Sequence, residues 1–182
     1  MQIKPKIKNQ VIKQERIATL EFKSIKTYNI SHKKTALIYC ENQFGRVDGK
    51  TAAALVRHSE IYTIVGVIDS SLTGKDASGE LGEEKSGIPI FASLDDALRK
   101  LDCRPDFYIY GKAPLETYIP NNERLMILEA MENGMDIISG LHQFFSEDAE
   151  FAQVATLNDI IIKDIRKPPP LKDLHLFTGQ IS

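Results

Sequence analysis

From Thr35 onward, short continuous apolar runs alternate with helical segments, and this alternation restricts the chain to very few architectures. Residues 36–40 and 62–68 read as buried strands, because four or more apolar side chains in unbroken succession leave no face for water. Between them, 51–58 reads as a helix with Asp48 placed to cap it. Residues 87–91 form a short strand in which Pro89 restricts the segment to a strand start or an edge. Ser93 and Asp96 then open a helix in capping-box fashion, and Leu94, Ala97, Leu98 and Leu101 paint one apolar face. Two further units repeat the scheme. A strand over 106–110 ends at Gly111, and a helix from about 122 to 133 is capped by Asn121 and stopped by Gly134. A strand over 135–139 ends at Gly140, a helix over 147–157 is capped by Ser146, and residues 160–162 begin a last strand before Pro168–Pro170. Helical crossovers between strands that are apolar throughout give a parallel sheet covered on both faces. The expected fold is therefore α/β, a Rossmann-like doubly wound and mostly parallel sheet.

Composition narrows what such a domain can do. The 182 residues carry a net charge of −2, too balanced for a surface devoted to nucleic acid. No apolar run reaches the roughly 20 residues of a membrane span, and no signal-peptide core follows the first Met. Cys40 and Cys103 lie far apart without a CxxC or a nearby His, which argues against a metal site or a disulfide and favours a reducing, cytoplasmic setting. Charge is nevertheless uneven. Residues 1–34 hold nine Lys or Arg against Glu15 and Glu21, so a basic arm precedes an acidic body. Ala18, Leu20 and Phe22 alternate with polar residues, so part of that arm reads as a strand. Three segments follow: the arm at 1–34, the Rossmann-like domain at 35–167 and a Pro-rich linker at 168–182.

Ligands of open parallel sheets bind beyond the carboxyl ends of the strands, near the switch in strand order. The loop from Glu41 to Thr51 carries Gly45, Arg46, Gly49, Lys50 and Thr51 into the first helix. Glycines let backbone amides approach a phosphate, and a helix N-terminus adds unpaired N–H groups. Gly49-Lys50-Thr51 resembles the end of a P-loop, but Phe44 stands where the pattern needs glycine, and no GxxxxGK[ST] occurs anywhere in the chain. Asp69 ends the second strand, where a dinucleotide fold places the carboxylate that accepts from a ribose; an ordinary turn role explains an Asp there equally well. Residues 70–86, with Gly74, Gly79 and Gly82, read as a polar loop that folds over a ligand or stays solvated. Gly111-Lys112 and Gly140-Leu141-His142 face the same crevice. Lys112 can bind an anion, and His142 can bind one or relay a proton.

Residues 45–51, Gly66-Val67-Ile68-Asp69, Gly140-Leu141-His142 and Asp164-Ile165-Arg166-Lys167-Pro168-Pro169 together resemble the N-terminal domain of a two-domain family (domain of unknown function 1611). That family is often labelled NAD-dependent epimerase/dehydratase-like and includes D-glutamate N-acyltransferases of D-amino-acid catabolism. A looser similarity to CoA-binding domains lies in residues 87–98. The resemblance implies a first domain that binds a nucleotide or acyl-CoA, such as acetyl-CoA, followed by a P-loop type second domain. On this basis the chain corresponds to the first domain, either as part of a longer protein or as a short relative.

The expected function is then the ligand-binding half of an amino-acid N-acyltransferase. Gly45, Arg46, Gly49, Lys50, Thr51, Asp69, Gly111 and Gly140 would border the cofactor, with Lys112 and His142 as catalytic candidates. An NAD(P)-linked oxidoreductase would use the same crevice, and a non-catalytic nucleotide sensor is a third possibility. The partners expected are a small-molecule ligand, the second domain and a further copy of the chain, with neither nucleic acid nor membrane.

Overall fold

The computed structural model describes residues 33–113 and 118–169, so the alternating stretch around Ala18, Leu20 and Phe22 lies outside the described residues. Six parallel strands form one sheet: β1 (Lys34–Tyr39), β2 (Tyr62–Ile68), β3 (Ile90–Phe91), β4 (Phe107–Tyr110), β5 (Asp136–Ser139) and β6 (Ile162–Asp164). Their spatial order is β3-β2-β1-β4-β5-β6, the doubly wound arrangement expected from the sequence. Order reverses between β1 and β4, whose register pairs Ala36 with Phe107 and Tyr39 with Tyr110.

The helices are α1 (Lys50–Arg57), α2 (Ala77–Glu80), α3 (Leu94–Lys100), α4 (Asn121–Glu132) and α5 (Ala149–Asn158). Side chains alternate across a strand, so β1 feeds two cores. Leu37 and Tyr39 join Leu94, Ile127, Met131 and Phe151 beneath α3, α4 and α5. Ala36 and Ile38 join Ala52, Val56 and Ala77 beneath α1 and α2. On the first face, Tyr39 stacks on Tyr108 with ring centroids 6.0 Å apart, and Tyr110 meets Phe145 edge-on at 5.9 Å.

Several helix starts differ from the expectation. Asp48 does not cap α1; it lies in a 3₁₀ turn, Val47–Gly49, and Gly49 takes the cap position with no side-chain bond. Ser146 likewise lies in a 3₁₀ turn, Phe145–Glu147, and Asp148 caps α5 by accepting from the amides of Glu150 and Phe151. Asn121 is the first residue of α4, behind Pro120. Ser93 does cap α3, accepting from the Asp96 amide at 3.1 Å. The last strand begins two residues later than expected, because Asp159 (φ 55°) turns the chain and the Ile160 amide closes α5 on Ala155. A local apolar run cannot reveal which of its members the helix terminus will claim.

Residues 70–86 are folded rather than a bare linker. Asp76 caps α2 and also accepts from the Gly87 amide, and Ala77 and Ser78 are buried. Gly74 and Lys75 exchange hydrogen bonds with Ile90, which covers the outer edge of β3.

The α4–α5 contact carries a charge clamp. Arg124 holds Asp148 with two bonds at 2.7 and 2.9 Å, reaches Glu150, and lies 4.4 Å over the Phe151 ring. The Arg124 hydrogen bonds, with help from the Phe151 and Glu150 amides, hold the Asp148 carboxyl below the ordinary carboxylate range. A carboxyl depressed in the folded state stabilises fully above its unfolded pKa of about 3.9, and that contribution disappears as pH falls through the folded value. Asp148→Asn should therefore flatten the acid limb of a urea stability curve below about pH 4; an unchanged limb would show that the clamp contributes nothing to acid stability.

Candidate functional site

The strand order predicts a crevice where β1 and β4 part, and a cleft of about 620 Å³ lies there. Its wall comes from four carboxyl-end loops. Val47, Asp48, Lys50 and Thr51 follow β1, Lys112 and Ala113 follow β4, Gly140 to Gln143 follow β5, and Arg166 follows β6. Five residues singled out from the sequence, namely Lys50, Thr51, Lys112, Gly140 and His142, therefore meet on one cleft. Gly140 borders open space: a Cβ built on it would meet nothing within 4 Å.

The other candidates lie elsewhere, and packing accounts for their identities. At Gly49 a Cβ would lie 2.0 Å from the Gln43 carbonyl oxygen, so the glycine is required by a loop folded against itself. At Gly111 a Cβ would lie 2.5 Å from Ile38 Cγ2, while the Gly111 carbonyl accepts from the Ala52 amide at 3.1 Å. That bond seats the start of α1 on β4. Gly45 adopts a positive φ of 76° at the turn, and Arg46 is exposed beside it. The amides of Gln43, Arg46 and Gly49 donate to Cys40, Gln43 and Arg46 in turn, so the loop spends these donors on itself.

Asp69 is fully buried at the end of β2 and outside the cleft lining. It accepts from the Phe44 amide at 3.1 Å, the Ser71 amide at 3.1 Å and the Ser71 hydroxyl at 2.6 Å. Burial, with Asp69 as the leading nearby charge, pushes the neighbouring Cys40 thiol up to about 12, which leaves it a packing residue rather than a nucleophile.

Lys112 and His142 have partners that the sequence did not reveal. Lys112 donates to Glu123 at 2.6 Å, and the Tyr110 hydroxyl donates to the other oxygen of Glu123. The Lys112 and Glu123 side chains are only 10% and 6% exposed, so this is a buried, charge-compensated pair at the cleft wall. Glu123 sits in the first turn of α4, where an acid is adequately explained by the helix dipole, so nothing local marks it as the partner of Lys112. His142 Nε2 lies 2.7 Å from Arg166 Nη1. A guanidinium only donates, so in this contact Nε2 is the acceptor. Arg166 and Lys50 form no ion pair with a carboxylate among the described residues. The cleft thus combines Lys50 and Arg166, neither of them ion-paired among the described residues, with the Asp48 carboxyl, the His142 imidazole and an apolar surface from Val47, Ala113 and Leu141. Among the described residues, no cluster of His, Cys, Asp and Glu is arranged to hold a metal, and no helix is long and apolar enough to cross a membrane.

Comparison with known proteins agrees with this architecture. The crystal structure of a DUF1611 family protein from Anabaena variabilis ATCC 29413 superposes with a TM-score of 0.66 at 28% identity, over 75% of this chain and 38% of that one. The chain therefore spans well under half the length of that relative. A dehydrogenase from Chromobacterium violaceum gives a TM-score of 0.49 at 16% identity, over 70% of this chain and 34% of that one. No curated protein matches the chain. Residues 70–168 match the family model described as a domain of unknown function (DUF1611_N), Rossmann-like domain, so by sequence, strand order and structural likeness the chain belongs to that family.

Proposed function

We propose that this Rossmann-like domain is the ligand-binding half of an enzyme that transfers an acyl group to the amine of an amino acid such as D-glutamate, and that its cleft receives the anionic part of an acyl-CoA or another nucleotide cofactor. The observation that carries this reading is that Lys50 and Arg166, neither ion-paired among the described residues, meet an apolar wall at the switch point, with Asp48 as the acidic residue of the same lining. An anion there gains charge-assisted hydrogen bonds, and Val47, Ala113 and Leu141 suit the uncharged remainder of the ligand. The remaining catalytic elements would come from the P-loop type second domain that the resemblance implies.

Acyl transfer to an amine needs an acceptor for the amine proton and a donor for the oxygen that gains charge. An acyl-CoA, when bound, would supply the activated carbonyl. The amine nitrogen would form the amide bond as the thioester C–S bond breaks, and coenzyme A would leave as its thiol, carrying the proton taken from the amine. His142 Nε2 carries the lone pair that would take the proton once Arg166 turns to the anion. Lys112 donates to Glu123 and, at 3.5 Å, to the Glu41 carbonyl, so one N–H of this lining residue would be left for that oxygen.

Calorimetric titration of the full chain with acetyl-CoA, NAD, NADP and ATP tests this. Acetyl-CoA should bind, and Lys50→Ala or Arg166→Ala should each weaken it about 10- to 100-fold, the usual loss for a hydrogen bond to a charged group. Tight NAD binding without acetyl-CoA binding would replace acyl transfer with hydride transfer. Silence toward all four would leave the cleft without a nucleotide role.

A further inference from the structure

We infer that Phe44 and Asp69 determine specificity by closing the end of β2 to a ribose, so that the ligand is confined to the β1, β4, β5 and β6 side of the switch point. This deepens the proposed reading of the cleft and rests on it for the identity of the ligand, but not for the closure itself.

In a doubly wound dinucleotide site, the loop after β1 presents free amides to the phosphates, and an acid at the end of β2 accepts from the adenosine ribose. Here both parts are engaged by the chain itself. The amides of Gln43, Arg46 and Gly49 are bonded within the loop. Phe44 is 3% exposed and packs in the core beneath α1 and α2, and its amide is bonded to Asp69. Asp69 takes three donors from Phe44 and Ser71 and is itself wholly buried. A second latch lies outside it. Glu41 accepts from the Ser70 amide at 2.8 Å and from the Ser70 hydroxyl, joining the loops after β1 and β2. A ribose diol could reach Asp69 only by displacing the Phe44 amide or the Ser71 donors, and a displaced buried amide would remain unpaired. The cations that attract an anion, Lys50 and Arg166, lie in the cleft on the other side of β1. The ligand portion that fits is an anionic group with an uncharged extension along the loops after β1, β4, β5 and β6, and a dinucleotide laid across the sheet in the extended pose is excluded.

Amide NMR spectra of the full chain, titrated separately with AMP, NAD and inorganic pyrophosphate, test the closure. The Phe44 and Ser71 amides should keep their positions with all three probes, and the Phe44 amide should stay protected from exchange. Pyrophosphate should move the Thr51, Ala113 and Leu141 amides. Movement of Phe44 and Ser71 by AMP or NAD, but not by pyrophosphate, would overturn the inference. If no probe moves any amide, the closure stands and the proposed function of the cleft fails, so the two ideas are separable.

Discussion

Replacing Lys112 with methionine is expected to cost about 3–5 kcal/mol of folding stability, more than any other single change at the cleft wall. Methionine preserves most of the side-chain volume, so the loss comes from charge. Glu123 would lose its cationic partner at 6% exposure and keep only the Tyr110 hydroxyl. An uncompensated buried charge is far costlier than the pair is favourable, because desolvation is no longer offset by the neighbouring ammonium. The double variant Lys112→Met with Glu123→Gln should recover most of the loss, since glutamine is neutral and still accepts from Tyr110. Urea unfolding of the two singles and the double gives the coupling directly. A loss below about 1 kcal/mol for Lys112→Met would mean that water reaches Glu123 and that the wall is not fixed by this pair.

The second large effect is expected at Gly49. Alanine there should destabilise by about 2–3 kcal/mol, although its φ of −95° suits any residue. The cause is steric: the new methyl would lie 2.0 Å from the Gln43 carbonyl and 3.0 Å from Cys40 Sγ, and backbone cannot yield as a flexible side-chain end can. Gly140→Ala is the control, because its Cβ meets nothing within 4 Å and should change folding by less than about 0.5 kcal/mol. Comparing the urea midpoints of the two variants separates a packing glycine from one that borders the cleft. Equal midpoints would contradict the close approach of the two halves of the loop. Since Lys50 and Thr51 follow Gly49 directly, the same variant should also displace the first wall of the cleft.

Gly49 illustrates how a sequence pattern can be real and its cause different. Gly49-Lys50-Thr51 resembles the end of a phosphate loop, yet the glycine answers to the Gln43 carbonyl, and the Gln43, Arg46 and Gly49 amides are bonded within the loop. Asp69 is similar: its position at the strand end was legible, but its partners were not, because Phe44 lies 25 residues away. Arg166 entered only as part of a motif, and its place beside His142 depends on β5 and β6 being neighbours in the sheet. Glu123 carried no local mark at all, and it becomes a site residue only when α4 is laid over the end of β4.

The chain by itself determined the layering. Burial on both faces makes strands continuously apolar and burial on one face gives helices their period, so β1 through β6 and helices α1, α3, α4 and α5 could be read from local sequence, whereas α2 lies in a stretch that reads as a polar loop. It also determined that binding chemistry would gather at the carboxyl ends, because right-handed crossovers in a parallel sheet leave those loops on one rim. Only the tertiary structure decided which loops meet across that rim. Partner choice depends on distances between segments far apart in sequence, which no local periodicity encodes. Packing around Phe44 and Gly49 closed the β2 side, and pairing with Glu123 compensated Lys112. Lys50, His142 and Arg166 were thereby left to face one open cleft.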